Sequence, residues 1–113
     1  MSADCLFCGI VAGEVPATLV AEGERVVAFA DLNPQAPTHV LVVPRAHHPA
    51  VAELADADPA ALAELVLIGR QVAHDAGHAD FRLVFNTGAD AGQSVFHVHG
   101  HVLAGRDLAW PPG

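Results

Sequence analysis

Residues Phe96-His97-Val98-His99-Gly100-His101-Val102-Leu103 alternate imidazole with non-polar side chains. A period of two belongs to a β-strand, where residues i, i+2 and i+4 share one face. The pattern predicts a long strand over residues 94–103. His97, His99 and His101 should project together, spaced about 7 Å apart, with Phe96, Val98, Gly100 and Val102 turned toward a core. Three histidines opposite an apolar face are hard to obtain by chance. Neutral imidazole is a nucleophile that can accept a phosphorus centre. Neighbouring imidazoles can donate hydrogen bonds to phosphate oxygens or deliver a proton near neutral pH. His99 is flanked on both sides and is the natural nucleophile. It needs one ring nitrogen free and the other held by an acceptor, a task a backbone carbonyl can perform. The rival reading is a metal site, because H-x-H on a strand also suits zinc.

The rest of the chain reads as one domain over residues 1–113, long enough to bury a core without disulfide staples. Residues 5–11 suggest a short helical turn ended by Gly13. Residues 17–21 and 26–31 are strand candidates around the turn Glu22-Gly23-Glu24. Asn33-Pro34-Gln35-Ala36-Pro37 is a rigid loop, since each proline fixes its own φ and restricts its predecessor. The apolar run 39–43, stopped by Pro44, suits a strand buried on both faces. Asp58-Pro59 looks like an N-cap and first-turn proline. The helix it opens should run to about residue 76, with Leu62, Leu65, Val66, Ile68 and Val72 as its apolar stripe and Gly77 as its stop. Residues 81–86 read as a strand and 87–93 as a Gly-rich loop. The order β-β-β-α-β-β with short connections favours an α+β fold built on an antiparallel sheet.

Charge narrows the function classes. The formal net charge is −8, and all five basic residues (Arg25, Arg45, Arg70, Arg82 and Arg106) are scattered arginines. A chain without a basic stripe is not built for nonspecific nucleic-acid binding. No apolar run is long enough to cross a bilayer, and the expectation is a soluble, cytoplasmic protein. A phosphate ligand would have to be held locally, by backbone N–H groups and histidine, against the global charge. Cys5 and Cys8 form a C-x-x-C pair. A disulfide between them would close a trivial loop, so metal ligation or redox chemistry are the sharper readings.

Further segments carry a resemblance. Phe29-Ala30-Asp31, Pro34-Gln35-Ala36-Pro37-Thr38-His39, Val43-Pro44-Arg45, Asn86, Gly92-Gln93-Ser94-Val95, the three alternating histidines and the terminal Trp110-Pro111-Pro112-Gly113 stand in order along nearly the whole chain. Together they resemble the histidine-triad (HIT) nucleotide-binding superfamily, and within it the Hint branch. The resemblance implies a five-stranded antiparallel sheet with one long and one short helix, joined to a second sheet across a homodimer. It implies a purine nucleotide such as AMP or GMP as ligand. The implied reaction is hydrolysis of purine nucleoside phosphoramidates at the α-phosphate through a nucleotidyl intermediate on His99. His101, His97 and Ser94 complete the implied catalytic set, with His101 on the phosphate and Ser94 at the scissile bridging atom. Asp31 and Leu32 would meet the nucleoside, Asp31 at the ribose. Asn86, Gly92, Gln93 and Ser94 would line the phosphate side, and His39 would support the site. Trp110 would serve the dimer interface or reach the partner subunit's pocket. Some bacterial members bind zinc with positions that correspond here to Cys5, Cys8, His47 and His97, which implies a structural zinc not required for catalysis.

Each position has a plainer counterpart. Asp31 could cap the Asn33–Pro37 loop, Asn86 could be a turn residue, and Gly88 and Gly92 could serve backbone geometry first. His48, His74 and His78 read as solvated surface. Two other functions stay open, a dinucleoside polyphosphate hydrolase or phosphorylase of the wider superfamily, and a nucleotide-binding scaffold with incidental hydrolysis. One residue departs from the family pattern: Gly100 stands where a bulky apolar residue is expected. A missing side chain there should leave a void or let a neighbour fill it, with the chemistry intact.

Overall fold

Seven consecutive residues, Thr38–Pro44, form the strand at the centre of the sheet, and six of them are buried. β-branched residues fit a pleated surface covered on both sides. The computed structural model describes residues 4–113; the first three residues of the single domain read from the sequence lie outside the described residues. The elements are α1 (Leu6–Val11), β1 (Leu19–Glu22), β2 (Val26–Ala30), β3 (Thr38–Pro44), α2 (Val51–Ala57), α3 (Pro59–Asp75), β4 (Arg82–Phe85), a 3₁₀ turn (Ala89–Ala91) and β5 (Gly100–Ala104). The sheet runs β1-β2-β3-β5-β4, and every neighbouring pair is antiparallel. The α+β architecture is as expected. Helix α2, between the Pro44 segment and Asp58, is an addition; its N-cap is Ala50, which offers no side-chain cap.

The two faces of the sheet are packed differently. On one, Val26, Ala28, Val40, Val42 and Val102 meet Ala61, Leu65 and Val72 of α3. Asp58 caps α3 as expected, its side chain accepting from the Ala61 N–H at 3.1 Å. Gly77 follows its end with φ +93°. Val66 lies off the buried stripe and is 42% exposed, because successive helical residues are turned about 100° apart. On the other face, Val27, Phe29, Leu41 and Val43 pack against Phe7 of α1.

The histidine segment is not one long strand. β5 begins at Gly100, and residues 94–99 approach it irregularly. The register pairs Val42 with Gly100, so continuing it would set Pro44 opposite Val98. Pro44 has no N–H to give, and its carbonyl accepts from the His97 ring at 2.8 Å. Val98 donates instead to the His48 carbonyl at 2.8 Å. With the pleat interrupted, Phe96 does not face the core and is 50% exposed.

Gly100 sits on the α3 face with its space already filled. A Cβ there would stand 2.9 Å from Leu83 Cδ1, 3.1 Å from Leu65 Cδ2 and 3.2 Å from Phe85 Cε1. The neighbours have closed the void that a missing side chain would leave. Overpacking a filled core forces side chains off rotamer. Gly100→Leu is therefore expected to lower unfolding free energy by about 1–3 kcal/mol. Gly100→Ala, which meets two leucine methyls and the edge of the Phe85 ring, should cost less, and urea denaturation of both variants checks the order.

Candidate functional site

The interruption before β5 turns the His97 ring away from the sheet's open edge and into the interior. His97 is fully buried, at 0% exposure. Its Nε2–H donates to the Pro44 carbonyl. A carbonyl only accepts, so the hydrogen is on Nε2 and the lone pair is on Nδ1. Nδ1 lies 3.4 Å from Cys5 Sγ, 3.5 Å from Cys8 Sγ and 3.2 Å from His47 Nδ1. His47 Nδ1 is in turn 3.4 Å from Cys8 Sγ. All four ligand atoms fall within 4.8 Å of one another. A tetrahedron of thiolate and imidazole ligands around zinc has edges of about 3.3–3.8 Å, given Zn–N and Zn–S bonds of about 2.0 and 2.3 Å. Cys5, Cys8, His47 and His97 thus fit a structural zinc ion with all four positions supplied by protein. The Pro44 carbonyl is the outer partner that orients a ligating imidazole.

His99 is held the other way round. Its Nδ1–H donates to the His97 carbonyl at 2.9 Å. Nε2 is left with the lone pair, which is the condition a nucleophilic imidazole must meet. The ring is 7% exposed and packs edge-on to Phe7 at 5.0 Å between centroids.

His101 sits 5.0 Å from His99 by ring centroids, closer than strand spacing alone suggests. Its Nδ1 lies 2.9 Å from His39 Nε2. His39 Nδ1 accepts from the Gln35 N–H at 2.9 Å. That backbone donor obliges a neutral His39 to carry its hydrogen on Nε2. His39 then donates to His101 Nδ1, and the His101 hydrogen falls on Nε2, which makes it a donor. Asp31 Oδ2 stands 3.3 Å from His39 Nε2. Asp31, His39 and His101 are thus a second cluster of metal-ligand types. The hydrogen imposed on His39 Nε2 removes its lone pair, so this cluster does not match the metal-binding character of the first. The Gln35 N–H opposite one ring and the Pro44 carbonyl opposite another separate two otherwise similar groups.

A cleft of about 260 Å³ opens over these rings. Asp31, Leu32, Ser94, His99 and His101 line it together, with Leu6, Phe7 and Ile10 of α1 forming an apolar wall. The contribution of α1 was not read from the sequence; Leu6, Phe7 and Ile10 sit among the cysteines without any motif to mark them. Leu32 is 96% exposed at the cleft's rim. Asp31 Oδ1 also accepts from the Asn33 N–H at 2.8 Å, so the aspartate caps the proline loop as well as facing the cleft. His39 lies behind His101 and is buried. Asn86, Gly92, Gln93 and Trp110 do not line this cleft. The Gln93 amide is committed to backbone, accepting from Gly88 N–H at 2.8 Å and donating to the Pro49 and Val95 carbonyls at 2.7 and 3.1 Å. Gly92, at φ +98°, packs beside Asn86. Trp110 projects from the surface of the chain. His74 stacks edge-on with Phe81, and His48 contributes its carbonyl to Val98.

Burial favours the neutral form of three of these rings, His97, His39 and His101. It is the main cause that lowers His97, against the bond to Pro44 and with the neighbouring His47, His99 and His48 charges. Burial also lowers His39, against the pull of Asp31. His101 is pushed down to about 4, first by burial, then by His99 and His39, with Asp31 opposing. Among the described residues no helix is long and apolar enough to cross a membrane.

The HIT domain model matches residues 12–108, beginning past both cysteines. An uncharacterised HIT-like protein of Synechocystis is 46% identical over 114 residues, covering 100% of both chains. A 14 kDa zinc-binding protein of Zea mays is 40% identical over 111 residues, 96% of this chain and 87% of the maize protein. The crystal structure of a HIT family hydrolase from Legionella pneumophila matches with a TM-score of 0.92 at 43% identity, over 97% of this chain and 100% of that one.

Protein purified without added metal should carry a single zinc ion per chain, and Cys8→Ala should lose it; metal analysis of both reads this directly. A metal-free, normally stable wild type would contradict the assignment. The His101 ring should titrate with a midpoint near 4 rather than at the ordinary 6.5. The fold favours the neutral ring, so the His101 contribution to stability is present above pH 6.5 and is lost as the pH falls from 6.5 toward 4. An NMR titration of the His101 ring proton checks the midpoint.

Proposed function

The chain belongs to the HIT domain family, and from that premise we propose that it is a nucleotide hydrolase of the Hint type, cleaving purine nucleoside phosphoramidates at the α-phosphate. The observation that carries this reading is the bond from His99 Nδ1–H to the His97 carbonyl, which leaves Nε2 as the attacking nitrogen beside a nucleoside-sized cleft. Its likeness to a HIT family hydrolase supports the reaction class.

In the proposed reaction His99 Nε2 attacks phosphorus and the P–N bond breaks. The amine leaves with the bonding pair and takes a proton handed on by the Ser94 hydroxyl from solvent. Water then attacks phosphorus in the nucleotidyl-His99, one of its protons goes to bulk, the P–Nε2 bond breaks with its electron pair returning to His99 Nε2, and the nucleoside monophosphate departs. His101 donates from Nε2 to a phosphate oxygen throughout, and His39 keeps its hydrogen there. A neutral donor suits a chain of net charge −8, because recognition rests on fixed hydrogen bonds instead of a basic surface. Asp31 and Leu32 hold the nucleoside of AMP or GMP, with the α1 wall against the base. Asn86, Gly92 and Gln93 stand outside the cleft and act by shaping the loop that presents Ser94 to the phosphate. His97 serves the site through its carbonyl and through the structural zinc, which takes no part in the chemistry.

The protein works as a homodimer in this reading. β4 is a sheet edge whose residues are all half-buried, and Trp110 is 83% exposed; a second copy would cover both. The setting is cytoplasmic, where the Cys5 and Cys8 thiols stay reduced.

His99→Ala should reduce turnover of an adenosine phosphoramidate to below about a thousandth of wild type, as expected for loss of a covalent nucleophile. AMP binding should persist. Retained turnover would remove His99 from the role. A panel comparing phosphoramidates with dinucleoside polyphosphates tests the substrate class, and faster cleavage of the polyphosphates would overturn it.

A further inference from the structure

We infer that the Cys5–Cys8–His47–His97 centre sets the geometry of the neighbouring cleft, with Phe7 as the positioning residue that transmits metal occupancy to His99 and to the nucleoside wall; the ligand half of this inference rests on the proposed nucleotide function.

Helix α1 has six residues, Leu6–Val11. A helix that short is marginal without tertiary contacts. Its polar side-chain ties to the rest of the chain run from Cys5 and Cys8 to His97 and His47. Cys5 also caps the helix, its sulfur accepting from the Cys8 N–H at 3.4 Å. A metal on these four ligands would therefore clamp the same helix that walls the cleft.

Phe7 lies in the first turn of α1, between the two cysteines, and is 4% exposed. Its ring is edge-on to three others: Phe29 at 5.4 Å, His97 at 6.0 Å and His99 at 5.0 Å. It thus touches a ligand ring and the nucleophile at once. His97 provides a second route. Its ring nitrogen faces the cysteines while its carbonyl holds His99 Nδ1–H. Release of the four ligands would free α1 to lift, remove Phe7 from behind His99, and loosen the carbonyl that fixes the His99 tautomer. The wall made by Leu6, Phe7 and Ile10 would open with it.

The test compares metal-loaded wild type, chelator-stripped wild type and metal-loaded Phe7→Ala. AMP affinity is measured by calorimetry and the His99 Nδ1–H by nitrogen-15 NMR. Stripping should weaken AMP binding at least about tenfold and abolish the hydrogen-bonded Nδ1–H signal, while the backbone spectrum of the sheet is retained. Phe7→Ala should keep its zinc and reproduce the loss of affinity. AMP affinity and an Nδ1–H signal unchanged by stripping overturn the inference. If stripping unfolds the chain, Phe7→Ala decides, and wild-type affinity and signal in that variant overturn it. If loaded wild type itself fails to bind AMP, the nucleotide reading fails, and the His99 signal in the stripped and Phe7→Ala proteins still judges the coupling.

Discussion

The hydrogen bond from the buried His97 Nε2–H to the Pro44 carbonyl is the contact from which the site follows. It falls where the next pair of the β3–β5 ladder would form, a pair that Pro44, without an N–H, could not complete. It turns the ring inward and leaves Nδ1 bare toward two sulfurs and a second imidazole. With the ladder ended, the His97 carbonyl is available to His99. One residue thereby supplies a metal ligand from its ring and a tautomer lock from its backbone. Imidazole has two nitrogens with opposite roles when neutral, so a partner placed on one settles what the other can do.

The same logic runs through the second pair of rings with the sign reversed. At His39 the backbone presents an N–H, from Gln35, instead of a carbonyl. The hydrogen moves to the far nitrogen, and His101 becomes a donor at the cleft. Burial keeps His101 neutral at ordinary pH, pushing it down to about 4. Oriented N–H groups on neutral rings are hydrogen-bond donors that need no basic surface around them.

The sheet makes this arrangement rigid. β3 is buried on both sides and carries both His39 and the Pro44 carbonyl, while its neighbour β5 carries His101. Behind β5, α3 and β4 close over Gly100, whose missing side chain lets Leu65, Leu83 and Phe85 approach. In front, α1 brings Phe7 against His97 and His99. The glycine in the histidine segment is a packing feature of the rear face.

Much of this was legible in the chain. The apolar run of β3 and the Asp58-Pro59 helix start each rest on a local rule of geometry, and each marked an element of the fold; the alternating histidines form a strand only from Gly100 onward, and the C-x-x-C pair falls in a group whose geometry fits a metal. Helix α2 starts after Ala50 without a capping side chain to announce it. The tautomers, the break before β5, the outward turn of Phe96 and the α1 wall had no local signal either. By itself the sequence determined which residue types could carry the chemistry and the period on which they lie. Only the tertiary structure decided that His97 faces cysteines, His99 a carbonyl and His101 another histidine. Those roles depend on the single atom opposite each ring nitrogen, and such atoms come from residues 53 positions away at Pro44 and 62 positions away at His39.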